Sequence, residues 1–432
     1  MTNTGTGFDL AQIPDPRSGT RATTEPGLGG RFRAHNDEFQ VEEISLFEPS
    51  GSGEHLYLLI RKTGVSHRAM IRRLSEAFNV SETAIGFAGM KDRRAVTTQT
   101  VSIQVEGDSI PDIEGEGLVL LGVERHDHKL RRGQLKGNRF SIRIRDVDPL
   151  EVPRAWRILQ QLEREGLPNA YMSQRFGTRL NNHKLGAAWL AGEWKALLDE
   201  WLGSSGSVFP PSEERSRVDY DAGRYKQAIH RSGREWWAER AALQALDEGA
   251  SPRRACSVVP RLTWQLWVDA VQGTIFNHVL SQRLRDGTMT SLLPGDIPWD
   301  HGTGRWFRLD DGGHEDPELL KRIETIDVSP SGPLPGRRMP SAGDEVTALE
   351  RAAACEAGVD FDLLVSNGGA RRGSRRPLRV PVRHIDMASG TDERGPYITV
   401  AFDLPPGAYA TGVLSEIMGA EAIEERGWLT PT

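Results

Sequence analysis

The segment Gly86–Gln99 reads GFAGMKDRRAVTTQ and links a predicted helix to a predicted strand. The helix is predicted over residues 66–79, where apolar side chains recur at a spacing of four. The strand is predicted over residues 101–105, where apolar and polar side chains alternate as in a half-buried strand. Gly86 and Gly89 permit tight turns and the close approach of another backbone. The segment is therefore a constrained connection inside an α+β arrangement.

One acidic residue of this segment is a candidate for chemistry. Asp92 stands among the cations Lys91, Arg93 and Arg94. Nearby positive charge favours the ionised form of a carboxylate, and a positioned, ionised carboxylate can act as a nucleophile or as a base. On spacing alone, an Asp in a Gly-rich turn is more often a turn or cap residue. Both interpretations of Asp92 stand at this point.

Strands are predicted mostly near the two ends of the chain and helices mostly between them. Strand-like patterns occupy residues 55–60, 101–105, 140–145 and 398–404. Helical patterns occupy residues 151–165, 187–202, 234–246 and 264–284, and loops rich in Gly, Pro and Ser occupy residues 203–211 and 327–342. This order predicts one α+β domain interrupted by a largely helical insertion.

Length and composition limit the class of protein. The chain has 432 residues, of which 38% are hydrophobic and 26% charged, so it can bury a core and favours two domains over one. It has no run of about 18 or more apolar residues, and residues 1–27 lack a signal-peptide pattern, so no membrane association is expected. Cys256 and Cys355 form no Cys-x-x-Cys pair, which predicts ordinary thiols in a reducing cytoplasm and no metal site.

The net charge of −6 alone argues mildly against a nucleic-acid partner, but basic residues cluster. One run occupies residues 125–145 and contains eight Lys and Arg residues with a single Asp, and a second occupies residues 371–383 and contains six Arg residues and no acid. A polyanion responds to local potential more than to net charge. Basic runs are often solvated faces, yet two runs beside predicted strands favour RNA as a partner.

The segment around Asp92 also resembles a known motif. Gly89-Met90-Lys91-Asp92-Arg93, with Ala95, Thr97 and Gln99, is similar to the central motif of the TruD family of tRNA pseudouridine synthases. Further matches follow in the family's order: Phe39, Val41 and Glu43; Gly53-Glu54-His55; Lys129-Leu130-Arg131, Gly133, Leu135, Gly137-Asn138 and Phe140; Pro168-Asn169; Gln174-Arg175-Phe176-Gly177; Phe276-Asn277; Leu334-Pro335-Gly336; Leu404-Pro405, Gly407, Ala410-Thr411 and Glu416. The resemblance extends over about residues 33–418.

The resemblance implies a fold and a domain division. We expect a pseudouridine-synthase-type α+β catalytic domain with a mixed or antiparallel sheet, formed by residues 31–170 and 376–432. A largely helical α+β insertion domain is expected over residues 171–375, and a flexible segment over residues 1–30.

The resemblance also implies an activity. The expected reaction is the isomerisation of uridine to pseudouridine, at uridine 13 in the D arm of tRNA. The expected partner is tRNA, with other structured RNA as a further candidate and no obligate protein partner. No cofactor and no metal are expected, because the reaction is an isomerisation without a redox step.

Three residues are assigned to the site by the resemblance. Asp92 corresponds to the family's essential aspartate, and Asn138 and Phe140 to residues that shape the active site. The Phe is expected to stack on the target base, and Asn138 to orient the aspartate or the base. Periodicity alone favours a different interpretation of Phe140, as a core aromatic that shares a face with Ile142 and Ile144.

Three cations complete the expected site. Arg33 stands where the family commonly has a Lys, which keeps the charge and changes the geometry. Lys91 and Arg93 are expected to raise the local positive potential and to hold the flanking phosphates.

The third motif of the family differs in this sequence. The family's usual Asn-Tyr-Phe-Gly-x-Gln-Arg-Phe-Gly reads NAYMSQRFG at residues 169–177, which lack one aromatic and one glycine. That departure leaves the shape of this segment open.

Two other classes of protein fit part of the sequence. An RNA-binding module without catalysis would use the same basic runs, although it would not need Asp92 beside Asn138 and Phe140. A glycoside hydrolase or nucleosidase would need two carboxylates across the scissile bond, of which Glu43 or Glu416 could supply the second. The resemblance assigns structural roles to both glutamates.

Overall fold

The chain forms two compact units in a computed structural model that describes residues 9–17, 21–107, 110–113, 115–310, 312–366 and 371–423. The sheet unit comprises Thr23–Leu167 and Val380–Ile423, and the helical unit comprises Pro168–Arg379 with the described residues before Thr23. The domain boundaries expected from the sequence, at about residues 30, 170 and 375, stay a prediction. Residues 1–8 and 18–20 of the expected flexible segment, and residues 424–432 of the expected catalytic domain, lie outside the described residues.

The secondary structure of the described chain is numbered in sequence order. The strands are β1 Phe39–Ser45, β2 His55–Thr63, β3 Gly86–Phe87, β4 Val96–Gln104, β5 Leu118–His126, β6 Leu135–Arg145, β7 Leu167–Pro168, β8 Pro298–Asp300, β9 Arg305–Trp306, β10 Val328–Leu334, β11 Ser374–Pro377, β12 Arg379–Val380, β13 Arg383–Asp392 and β14 Gly395–Leu404. The α-helices are α1 His67–Ala77, α2 Val152–Glu165, α3 Asn182–Ala191, α4 Trp194–Leu202, α5 Glu214–Asp221, α6 Tyr225–Arg231, α7 Trp237–Asp247, α8 Pro252–Ser257, α9 Arg261–Arg285, α10 Pro317–Glu324, α11 Asp344–Glu356, α12 Phe361–Ser366, α13 Ala410–Met418 and α14 Ala420–Ile423.

A mixed sheet dominates the sheet unit. Its strands lie in the order β13-β14-β6-β1-β4-β2-β5, and β3 also pairs with β4. The pair β1 and β4 is parallel, whereas β1 with β6 and β2 with β4 are antiparallel. The loop that leads into β4 therefore lies at the end of the sheet where β1 begins.

Alternating apolar residues explain the centre of this sheet. Phe140, Ile142 and Ile144 of β6 are all buried, and so are Val400 and Phe402 of the neighbouring β14. Ile142 lies opposite Val400, and Phe140 opposite Phe402. Successive strand residues point to opposite faces, so a period of two places these side chains together on the core side. The alternation predicted for both strands is confirmed.

The helical unit is built around the 25-residue helix α9. Its aromatic core includes Trp201 of α4 and Trp267 of α9, whose rings meet edge to face with centroids 5.0 Å apart. The single helix predicted over residues 187–202 is two helices, α3 and α4. Gly192 lies between them with φ of 74°, a left-handed conformation that ends α3 at little steric cost.

A second small sheet of the helical unit corrects a predicted loop. The stretch 327–342 was expected to be a loop because it is rich in Pro, Gly and Ser. Its first part forms β10, which is almost entirely buried and lies between β8 and β11. Prolines argue against a strand because they cannot donate to the hydrogen-bond ladder. Here Pro330 lies opposite Pro298 and Pro333 opposite Arg375, so tertiary packing outweighs local preference.

The α+β class predicted from the sequence is confirmed, with a mixed sheet in one unit and mostly helices in the other. Among the described helices, none combines the length and the apolar composition that crossing a bilayer requires. The sheet unit contains the segment 86–99, which includes Asp92.

Candidate active site

Asp92 lies on the loop between β3 and β4. Its side chain is 51% exposed, so the carboxylate faces solvent and not the core. The Nη2 atom of Arg33 donates to the Oδ2 atom of Asp92 at 2.6 Å. The two residues are 59 positions apart, and the fold brings them together because β1 and β4 run in parallel.

Arg33 is held by a second contact and adopts an unusual backbone conformation. Its guanidinium lies 3.8 Å from the ring centroid of Phe39, a buried aromatic at the start of β1. Such a cation–π contact fixes the direction of the side chain. The φ angle of Arg33 is 59°, in the left-handed region that non-glycine residues seldom adopt. Strain of this kind persists only where surrounding contacts impose it, and it concentrates at functional sites.

Lys91 points in the opposite direction from Asp92, into the sheet unit. Its side chain is 5% exposed, and its Nζ atom lies 2.8 Å from Glu43 Oε2 and 2.5 Å from Asn138 Oδ1. Glu43 on β1 lies directly opposite Asn138 on β6. The Lys91 ammonium is therefore an internal anchor of the loop, and its burial argues against the phosphate contact expected from the sequence. Asn138 contacts this anchor.

The two arginines after Asp92 donate hydrogen bonds to backbone carbonyls outside the loop. Arg93 Nε donates to the Gly64 carbonyl at 3.3 Å, and Arg94 Nη2 donates to the Arg33 carbonyl at 3.2 Å. Both side chains are exposed, so each guanidinium also adds positive charge at the surface around Asp92. The electrostatic role expected for Arg93 fits this position.

A buried lysine that the sequence analysis did not identify lies under the loop. Lys62 of β2 is fully buried, and its ammonium donates to the backbone carbonyls of Val65, Lys91 and Asp92. Burial lowers the pKa of Lys62 to about 8, against a smaller opposing effect of Asp92. A signal for it exists in the sequence, because period-two alternation from Leu58 places Lys62 on the buried face of its strand.

Phe140 lies within an aromatic cluster. Its side chain is 8% exposed, and its ring centroid lies 6.3 Å from that of Phe39 and 5.6 Å from that of Phe402. This packing fits the core-aromatic interpretation. It also links Phe140 to the site, because Phe39 supports the guanidinium of Arg33. A stacking role for Phe140 against a base stays a proposal.

The two glutamates considered as second carboxylates have internal partners. Glu43 is 3% exposed in its ion pair with Lys91. Glu416 is buried and accepts hydrogen bonds from the backbone and the hydroxyl of Thr23. These contacts fit structural roles for both residues, so neither supplies a second solvent-facing carboxylate beside Asp92.

The first basic run divides into internal and exposed residues. Arg145 is buried and pairs with Glu38 at 2.7 Å, whereas the partly exposed Arg139 pairs with Asp403 at 2.9 Å. Arg131, Arg132 and Lys136 are exposed. The buried Arg145 cannot contact a polyanion without rearrangement, whereas the exposed residues of this run can.

The second basic run differs from the expectation of an RNA-facing patch. Arg375 and Arg379 are buried, with 1% and 2% exposure. Arg375 pairs with the buried Glu350 at 2.5 Å, and Arg371 pairs with Asp269. These guanidiniums hold the helical unit together, whereas Arg372 is exposed. A run of charges in sequence is thus not a continuous charged surface in space.

Metal ligands are not grouped in the described part of the chain: it contains no cluster of three or more His, Cys, Asp or Glu side chains that could hold a metal ion. The site contains the Asp92 carboxylate, its Arg33 partner and the surrounding cations.

Comparison with known proteins gives matches along nearly the whole chain. The family described as tRNA pseudouridine synthase D (TruD) matches residues 18–417. A protein of Geobacter metallireducens named tRNA pseudouridine synthase D is 40% identical over 402 residues, which are 91% of this chain and 96% of that protein. One of the same name from Thermus thermophilus is 32% identical over 401 residues, covering 92% and 91%.

A solved structure shows the same fold. The crystal structure of a Methanosarcina mazei protein described as a TruD superposes with a TM-score of 0.79 at 25% identity. It covers 94% of this chain and 98% of that protein. The similarity in sequence and in fold therefore includes both compact units and the loop with Asp92.

Proposed function

Because the chain belongs to the TruD family of tRNA pseudouridine synthases, we propose that it isomerises uridine to pseudouridine in tRNA, with Asp92 as the catalytic carboxylate. The family membership supports the reaction, and the relatives' shared name supports tRNA as the substrate. We propose uridine 13 of the D arm as the target, as the resemblance implies. One observation supports Asp92 most strongly: its carboxylate is half exposed and lies 2.6 Å from Arg33. The adjacent Lys91 holds the loop in place through its contacts with Glu43 and Asn138.

The reaction sets three demands on the protein. The bond between the ribose C1′ and the base N1 breaks, the base turns, and a bond between C1′ and C5 forms. The C5 proton leaves and N1 gains a proton, so the product is an isomer of the substrate. The uridine must leave its stack to expose its sugar and base, positive charge at C1′ must be stabilised, and the detached base must be retained.

Asp92 meets the second demand in this proposal. Its carboxylate attacks or deprotonates the sugar or the base, and each of these roles requires an ionised group that reaches the substrate from the surface. Arg33 directs the carboxylate through their hydrogen bond. Phe39 packs against the Arg33 guanidinium and, edge to face, against Phe140. We propose that Phe140 contacts the flipped uracil and retains it, since stacking on an aromatic ring contributes about 1–3 kcal/mol per base.

Recognition of the RNA is assigned to exposed cations. Arg131, Arg132 and Lys136 of the first basic run, together with Arg93, are exposed in the sheet unit. Folded RNA is recognised largely by its shape and its phosphates. Lys91 and Arg375 are excluded from this role by their burial. Binding of tRNA should consequently weaken as the salt concentration rises.

Purified protein should form one pseudouridine per molecule in an unmodified tRNA transcript that contains U13. The product can be measured by nucleoside mass spectrometry, and its position by reverse-transcription stops after carbodiimide treatment. A transcript with U13 replaced by C is the matched control and should give no product. Pseudouridine at another position would contradict the D-arm assignment. Tight tRNA binding without any pseudouridine would instead support the RNA-binding module without catalysis.

Replacing Arg33 with Ala should lower the single-turnover rate about 100-fold, the usual effect of removing one preorganised charged donor. Arg33→Lys should retain more activity, since it keeps the charge but loses the planar contact with Phe39. Arg31→Ala is the control, because Arg31 is 61% exposed in a surface ion pair with Asp146. Equal rates for Arg33→Ala and Arg31→Ala would exclude a role of Arg33 in the reaction.

A further inference from the structure

Lys62 is a buried cation whose hydrogen bonds go to backbone carbonyls of the sheet unit. Its side chain is fully buried, and its Nζ atom donates to the Val65 carbonyl at 2.9 Å and the Lys91 carbonyl at 3.3 Å. The third acceptor is the carbonyl of Asp92 itself. The ammonium is thus bonded to the peptide groups on both sides of the Asp92 α-carbon.

The position of this lysine is costly for the folded protein. Burying a cation removes it from water, and backbone carbonyls compensate only part of the lost hydration. The surrounding strands offer little more, because Lys62 lies opposite Thr97 on β4 and Leu118 on β5. A group that lowers stability and bonds to the active-site loop is better explained by a role in function than by a role in folding.

We propose that Lys62 is a positioning residue that fixes the backbone at Lys91 and Asp92, so that the Asp92 carboxylate meets the target uridine. This inference rests on the proposed function, in which Asp92 is the catalytic group. Lys62 and Lys91 act from two directions in this arrangement. Lys62 binds the loop's carbonyls, and the Lys91 side chain reaches Glu43 and Asn138. These contacts fix the loop backbone and leave the Asp92 side chain pointing to Arg33 and to solvent, where the substrate can bind.

The hydrogen bonds from Lys62 to the loop carbonyls should depend on pH, because they need the ammonium form of Lys62. The charged groups that act on Lys62 are Asp92 and Lys91 on the loop, of which Asp92 favours the ammonium and Lys91 disfavours it. His67 at the start of α1 is close as well, but burial lowers its pKa to about 4, so it stays neutral above that pH. The pKa of Lys62 is about 8. The ammonium is therefore present below pH 8 and is lost as the pH rises through this value, and the rate of reaction should fall with it.

The test compares Lys62→Met and Lys62→Arg with the unchanged protein, using single turnover of an unmodified tRNA transcript from pH 6 to 9.5. Lys62→Met should lower the rate about 100-fold, the effect expected from a misplacement of about 1 Å. Its affinity for the transcript should stay within about threefold, because a fully buried residue does not contact RNA. Lys62→Arg should keep more activity and lose the decline near pH 8, because a guanidinium stays charged at those pH values.

Two controls make the result specific. Lys321→Met changes a lysine that is 70% exposed on α10 and should leave the rate and its pH dependence unchanged. Asp92→Asn separates this inference from the proposed function: if that variant stays active, the proposed function fails whatever Lys62 does. If Asp92→Asn is inactive while Lys62→Met keeps the full rate, Lys62 has no positioning role. Should Lys62→Met fail to fold, Lys62→Arg decides, and a decline near pH 8 identical to that of the unchanged protein overturns the inference.

Discussion

Replacing Asp92 with Asn should reduce the rate of pseudouridine formation by about four orders of magnitude or more, the loss that follows removal of an essential nucleophile or base. The amide has the shape of the carboxylate but is neither an effective nucleophile nor a base. The fold should remain, because the ion pair of Asp92 with Arg33 is half exposed and such pairs contribute little to stability. Single-turnover kinetics with excess enzyme would measure the rate directly.

Asp247→Asn is the matched control for this substitution, since Asp247 is exposed at the end of α7 in the other unit. It should keep the rate of the unchanged protein. The Asp92→Asn protein should also bind the transcript with nearly unchanged affinity, which separates a lost chemical step from lost binding. Pseudouridine formation by Asp92→Asn within tenfold of the original rate would remove Asp92 from the mechanism and leave the reaction without its proposed carboxylate.

Replacing Arg375 with Met should lower the free energy of unfolding of the helical unit by about 3–5 kcal/mol, the usual result of leaving a buried charge without its partner. The guanidinium of Arg375 donates to the hydroxyl and the carbonyl of Ser331, at 2.9 and 2.8 Å, and to Glu350 at 2.5 Å. Its removal leaves Glu350 buried and unpaired. Urea unfolding followed by tryptophan fluorescence would report the change, because tryptophans form the core of this unit.

Arg372→Met tests the same basic run at an exposed position. It should change the unfolding free energy by less than about 0.5 kcal/mol. If Arg375→Met proved as stable as Arg372→Met, the buried ion pair would not hold the helical unit together. The contrast matters because both arginines belong to one run in sequence and differ only in what the fold places around them.

Much of the fold follows from local pattern. The period-two alternation of Phe140, Ile142 and Ile144 places β6 correctly, and apolar periodicity places α2 and α9. The exceptions have local causes. Gly192 interrupts a helix that apolar periodicity alone would continue. Pro330 and Pro333 lie in a buried strand because neighbouring strands enclose it, which no local preference shows.

The sequence predicts which residues belong to the site but not how they are arranged in space. The motif around Asp92 identifies the segment, yet the ion pair with Arg33 depends on the parallel pairing of β1 with β4, which spacing along the chain does not show. The inward direction of Lys91 depends likewise on the register that sets Glu43 opposite Asn138. Lys62 could have been identified, because strand alternation alone puts it on the buried face.

The left-handed backbone of Arg33 has a consequence for evolution and engineering. Glycine adopts that conformation without the steric cost that a side chain incurs. Arg33→Gly would relieve this backbone strain, but it would also remove the hydrogen bond to Asp92 and the contact with Phe39. Attempts to stabilise this protein by substitution should therefore leave Arg33 unchanged.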